Sequence, residues 1–195
     1  MKKTILAWIG RQGAGKEKLT ETVLRYCGSD RVSILSTGGI MRKIATTLGM
    51  KPDRPTCDKL VQALVEKFGG AVLASAIESA VPEDPNDVIV YDCPRRLEDM
   101  EMLDRLRRHN MVIVVFIDRS PEDRFTGLRE RARAGEKDLT WENFLVNENL
   151  PQERFIGEII QRANLSLKLG MDYQQNELHR LAFCKQYLYV HANQS

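Results

Sequence analysis

The stretch Gly10-Arg-Gln-Gly-Ala-Gly-Lys-Glu-Lys18 has the makings of a polyphosphate site. Gly10, Gly13 and Gly15 let the backbone turn its N–H groups inward around a phosphate, and Lys16 can reach the outer phosphates. The spacing Gly10-x-x-x-x-Gly15-Lys16 is that of a phosphate loop. The next position, usually a serine or threonine whose hydroxyl ligates magnesium, is Glu17, and Lys18 follows. A carboxylate there can approach a hard cation directly or through water, but without the metal it repels a phosphate.

Three more residues have chemistry in reach. Asp92 closes the apolar run DVIVYD, where a strand-end carboxylate facing the loop could hold magnesium. Arg42, in STGGIMRK, lies inside a helix that Ser36 and Thr37 can cap, and Arg95 follows Asp92 in DCPRR. A guanidinium matches phosphate oxygens with a planar fork and keeps its charge at neutral pH. Each also has an ordinary reading, as a turn-capping aspartate or a solvated helix arginine.

These residues need a frame, and the apolar pattern supplies it. TILAWI, VSIL, DVIVYD and MVIVVFID read as short buried strands, with ANLSLKLG as a fifth. KEKLTETVLRYC, GIMRKIATTLG, CDKLVQALVEKFG, AVLASAIESAV and RLEDMEMLDRLRRHN lie between them at helical spacing. WENFLVNENL, QERFIGEIIQRA and a closing YQQNELHRLAFCKQYLYV follow as helices. Alternation of this kind predicts an α/β fold of three layers, with a mostly five-stranded parallel sheet covered on both faces and ligands bound at the carboxyl ends of its strands. GMKPDRPT reads as an exposed connector and RERARAGEKDLT as part of a lid over about 120–150. A single domain over 1–195 is expected, with a helical region at about 36–82.

Composition narrows the function classes. With 29 basic and 27 acidic residues the net charge of +2 gives no general attraction to nucleic acid, so anion binding must be local. No apolar run approaches the roughly 18 residues of a membrane span, and the N-terminal apolar run reads as a first strand. Cys27, Cys57, Cys93 and Cys184 are scattered without a C-x-x-C pair, which argues for a reducing compartment, the cytoplasm, and against a zinc knuckle. His109, His179 and His191 share no metal-ligand spacing.

Taken together, GRQGAGKEK, LSTGGIMRK and VIVYDCPRR, in that order, resemble the adenylate kinase and nucleoside monophosphate kinase group of P-loop proteins. The resemblance covers about residues 3–180, and GGAVLASAIESAV and the stretch from GEKDLT to QRAN look like a less characterised branch whose members include dephospho-coenzyme A kinase-like proteins. It implies ATP bound at Gly10, Gly13, Ala14, Gly15, Lys16, Glu17 and Arg124, and an acceptor at Thr37, Gly38, Arg42 and Arg95. It further implies magnesium at Asp92 and Glu17, catalysis through Lys16, Asp92, Arg95, Arg131 and Arg133, and a short helical lid without zinc. The acceptor region maps to the helical insertion at about 36–82. The implied activity is transfer of a phosphoryl group from ATP to a nucleoside or deoxynucleoside monophosphate. A dephospho-coenzyme A-like acceptor and a nucleotide-binding module without turnover stand as alternatives, the last favoured by Glu17. Cys93 stands where the group has glycine.

Overall fold

The first strand runs apolar without a break from Ile5 to Ile9 and is buried at every residue, so the sheet must be covered on both faces. The computed structural model describes residues 2–92, 94–132, 136–149 and 153–192. Strands β1 (Thr4–Ile9), β2 (Val32–Leu35), β3 (Val88–Asp92), β4 (Met111–Asp118) and β5 (Leu165–Lys168) form one parallel sheet in the order β2-β3-β1-β4-β5. Helix α1 (Lys16–Cys27) follows β1, and α2 (Thr37–Thr47), α3 (Arg54–Phe68) and α4 (Ala71–Glu83) lie between β2 and β3. Helix α5 (Leu97–Leu106) joins β3 to β4. After β4 come α6 (Pro121–Arg131), α7 (Trp141–Glu148) and α8 (Ile156–Ile160), and α9 (Tyr173–Ala192) closes the chain.

The two-residue period of β1 sends its side chains to opposite layers. Leu6 and Trp8 pack with Leu19 and Val23 of α1 and with Phe183, Cys184 and Leu188 of α9. Ile5, Ala7 and Ile9 pack on the other face with Ile77 of α4, Met100 and Leu103 of α5 and Ile159 of α8. Trp8 is fully buried, and its indole N–H donates to Thr20 Oγ1 at 2.9 Å, so burying it strands no polar atom. A third cluster, Met41, Cys57 and Leu73, holds α2, α3 and α4 together.

Local signals place most boundaries. Ser36 accepts from Gly39 N at 3.0 Å and caps α2. Asp53 accepts from Thr56 N and Pro55 occupies the first turn of α3, so the connector predicted over GMKPDRPT ends at Asp53 and its last three residues open a helix. Within the stretch RERARAGEKDLT, Arg129–Arg131 form the last turn of α6, which is capped at its start by Ser120. Of the helix expected over 152–163, α8 takes five residues. Among the described residues no single helix is long and apolar enough to cross a membrane.

Candidate phosphate-transfer site

The loop between β1 and α1 lies at the carboxyl end of the central strand. Gly13 and Gly15 have φ of 79° and 102°, in the left-handed region where a side chain is strained. A Cβ at Gly13 would also stand 2.8 Å from the Arg124 carbonyl oxygen, so glycine lets the loop seat directly on α6. Gly10 packs beneath the loop against Ala14 and Ile117. No side chain caps α1, whose first N–H groups therefore face the loop with the positive end of the helix dipole. Lys16 Nζ donates to Gly10 O at 2.6 Å and Arg11 O at 3.0 Å, across the mouth of the loop.

Parallel register brings Asp92 to the loop. Asp92 is paired with Trp8 across β3 and β1, two residues before Gly10. Burial pushes its carboxyl above the usual aspartate range; Lys16 and Arg95 pull it down, and Glu17 pushes it up. Glu17, in the first turn of α1, therefore acts on Asp92 through space, and its Oε2 lies 3.7 Å from Arg131 Nη1. Both carboxylates are hard oxygen donors, and a cation between them would relieve the burial and repulsion that Asp92 experiences. That donor set fits magnesium, which takes few protein ligands and completes its shell with water and phosphate oxygens. No cluster of three or more metal-ligating side chains occurs among the described residues.

One cavity of about 940 Å³ is lined by Gly13, Ala14, Gly15, Lys16, Glu17, Asp92, Arg95 and Arg131. The fold thus gathers most of the predicted phosphate and metal residues. Arg95 is held from two sides: its backbone N donates to Asp99 Oδ2 at 2.8 Å, and its Nη1 pairs with Glu153. Asp99 is buried and also accepts from Arg96 N and the Tyr91 hydroxyl, which sets the path of the chain after β3.

Other predicted residues stand elsewhere. Thr37 is the first residue of α2, and Arg42, one turn on, folds its guanidinium back over Gly38, 3.6 Å from where a Cβ would be. Thr37, Gly38 and Arg42 are not in the cavity lining, nor is Gly10. Arg124, expected on ATP, is instead turned inward and 4% exposed, bonded to Glu148, to Arg119 O and to Gln12 O. Arg133 and Cys93 lie outside the described residues.

Two arginines in the lining escaped the sequence reading. Arg119 follows the last residue of β4, donates to Gly13 O at 3.2 Å, and has a buried Nε without a partner among the described residues. Burial lowers its guanidinium below the ordinary arginine range. Arg180 of α9 is 3% exposed, pairs with Glu177 and stacks 5.8 Å over Tyr173. The place of Arg119 after a strand end was a usable signal; nothing local marked Arg180.

Comparison with known proteins agrees with this frame. No protein-family model matches the chain. It is 26% identical over 181 residues to a UPF0200 protein of Hyperthermus butylicus, covering 92% of this chain and 93% of that one. It is 27% identical over 158 residues to a UPF0200 protein of Methanocaldococcus jannaschii, covering 80% and 76%. Among solved structures it is similar to TT1252 from Thermus thermophilus, with TM-score 0.62, 17% identity, and 97% and 98% of the two chains covered. It is also similar to the shikimate kinase from Bacteroides thetaiotaomicron, with TM-score 0.54, 14% identity, and 96% and 98% covered. The chain therefore has an α/β fold like that of P-loop kinases, with a five-stranded parallel sheet.

Proposed function

We propose that this protein is an ATP- and magnesium-dependent phosphotransferase, related to adenylate kinases, whose acceptor is a nucleoside or deoxynucleoside monophosphate. The observation that carries this reading is one cavity lined by the phosphate loop, two carboxylates and the arginines Arg95 and Arg131. A site that only held a nucleotide would have less need of further arginines beyond the loop. The loop and Lys16 bind the donor phosphates. Asp92 and Glu17 would hold magnesium, which neutralises phosphate charge when bound. Arg95 orients the acceptor phosphate from the cavity wall, and Thr37, Gly38 and Arg42 bind the acceptor from α2. The acceptor phosphate is an oxyanion at neutral pH, so no general base is required.

The test is a panel of nucleoside and deoxynucleoside monophosphates, dephospho-coenzyme A and shikimate with ATP and magnesium, following ADP against a no-acceptor control. Acceptor-dependent ADP with a monophosphate is expected. ADP with dephospho-coenzyme A alone would reassign the acceptor, and tight ATP binding without turnover on any acceptor would leave a nucleotide-binding module. Glu17 in the magnesium-ligand position of the loop is the feature favouring that second reading.

A further inference from the structure

Glu17 poses a physical problem that the fold answers at a distance. A carboxylate in the first turn of α1, beside the loop that would cradle a polyphosphate, repels it by like charge. Its exposed side chain lies 3.7 Å from Arg131 Nη1, at the far end of α6. That arginine is in turn fixed from its other edge: Nε donates to Glu136 Oε2 at 2.9 Å and Nη2 pairs with Oε1. Glu136 is 8% exposed, so the anchor is buried, and Arg131 itself lines the cavity. The helix ends here because Ala132 turns left-handed, with φ of 51°.

We infer that Arg131, anchored by Glu136, is the counter-charge that lets Glu17 stand beside a polyphosphate, and that Glu136 is a positioning residue for it. The planar fork makes this possible: one edge can be committed to Glu136 while Nη1 remains for Glu17, which a lysine could not do. A turn and two helices are thereby linked in one charge chain, from Glu136 through the end of α6 to the start of α1. Nucleotide affinity and its magnesium dependence are set along that chain. With magnesium absent, Arg131 carries more of the charge balance at Glu17. With magnesium present, the cation shares the task and the contribution of Arg131 shrinks. The inference rests on the phosphate-loop reading above but does not require turnover.

The test is a double-mutant cycle on binding of a non-hydrolysable ATP analogue by titration calorimetry, with magnesium and with EDTA, using wild type, Glu17→Gln, Arg131→Met and the double variant. In EDTA, Arg131→Met should weaken binding more in wild type than in the Glu17→Gln background, by at least about threefold, because the charge it offsets is then gone. Glu17→Gln alone should tighten binding in EDTA and reduce the gain on adding magnesium. Glu136→Gln should reproduce part of the Arg131→Met loss. If thermal melting shows that Arg131→Met fails to fold, Arg131→Gln takes its place, since it also removes the charge but keeps a polar side chain. Equal losses in both backgrounds would overturn the inference, as would unchanged magnesium dependence in Glu17→Gln. Absence of analogue binding by wild type would overturn it together with the phosphate-loop reading. Non-additive binding alongside a silent acceptor panel would uphold it and reject only the kinase assignment.

Discussion

Arg124 and Glu148 meet in a two-pronged ion pair, Nη1 to Oε1 at 2.7 Å and Nη2 to Oε2 at 2.5 Å. The pair joins α6 to the end of α7. The same guanidinium donates to Gln12 O and lies over the Phe144 ring, while Arg11 donates to the Glu148 carbonyl oxygen at 2.8 Å. Both ends of the pair thus grip the phosphate loop, and the two helices of the expected lid are bolted to it.

Glu148→Ala should therefore destabilise the protein. Removing one partner of a buried pair leaves the other charge uncompensated, and because Glu148 is slightly exposed we expect about 2–4 kcal/mol. Urea denaturation measures this. A loss under about 0.5 kcal/mol would make the pair an ordinary surface contact.

Lys16→Ala should abolish tight ATP binding and leave the fold intact. Its two hydrogen bonds are to loop carbonyls, so the stability change should stay below about 1 kcal/mol, while affinity falls at least about tenfold. Calorimetric titration and thermal melting separate the two effects. Unchanged ATP affinity would remove the phosphate-loop assignment.

Arg42→Ala and Arg95→Ala should raise acceptor KM or lower kcat and spare ATP affinity, each losing about 1.5–3 kcal/mol of acceptor interaction. The structure separates them on stability. Arg42 is exposed on α2, whereas Arg95→Ala strips the ion-pair partner from buried Glu153, so only the second should also lower the melting temperature. Weakened ATP binding with an unaffected acceptor would mean that the two sites are reversed.

Asp92 gives a pH signature. Burial holds its folded pKa above the unfolded value, more than Lys16 and Arg95 lower it. A group raised in this way favours folding while protonated, and that contribution is lost as pH rises from the ordinary carboxylate range through the folded pKa. Asp92→Asn carries no such loss, so its stability relative to wild type should climb over that window and then level off. Metal-free urea denaturation from about pH 4 to about pH 8 measures it. Parallel profiles for the two proteins would show that Asp92 ionises without cost.

Much of this molecule was written locally. The glycine spacing before Lys16, the β-branched runs and caps such as Ser36 and Asp53 act within a few residues, and the five strands fall where the apolar pattern put them. The α/β layering followed, because a strand apolar on both faces must be covered on both. Strand order did not follow: that β3 and β4 flank β1, and so carry Asp92 and Arg119 to the phosphate loop, depends on crossovers that no single segment encodes. The arginines divide on the same ground. Arg124, Arg131 and Arg180 are alike as exposed-looking helix residues in sequence, yet one is sealed against Glu148, one reaches Glu17 and one enters the cavity from α9. A guanidinium takes its role from the carboxylates and carbonyls around it, and only packing of distant elements decides which of those arrive.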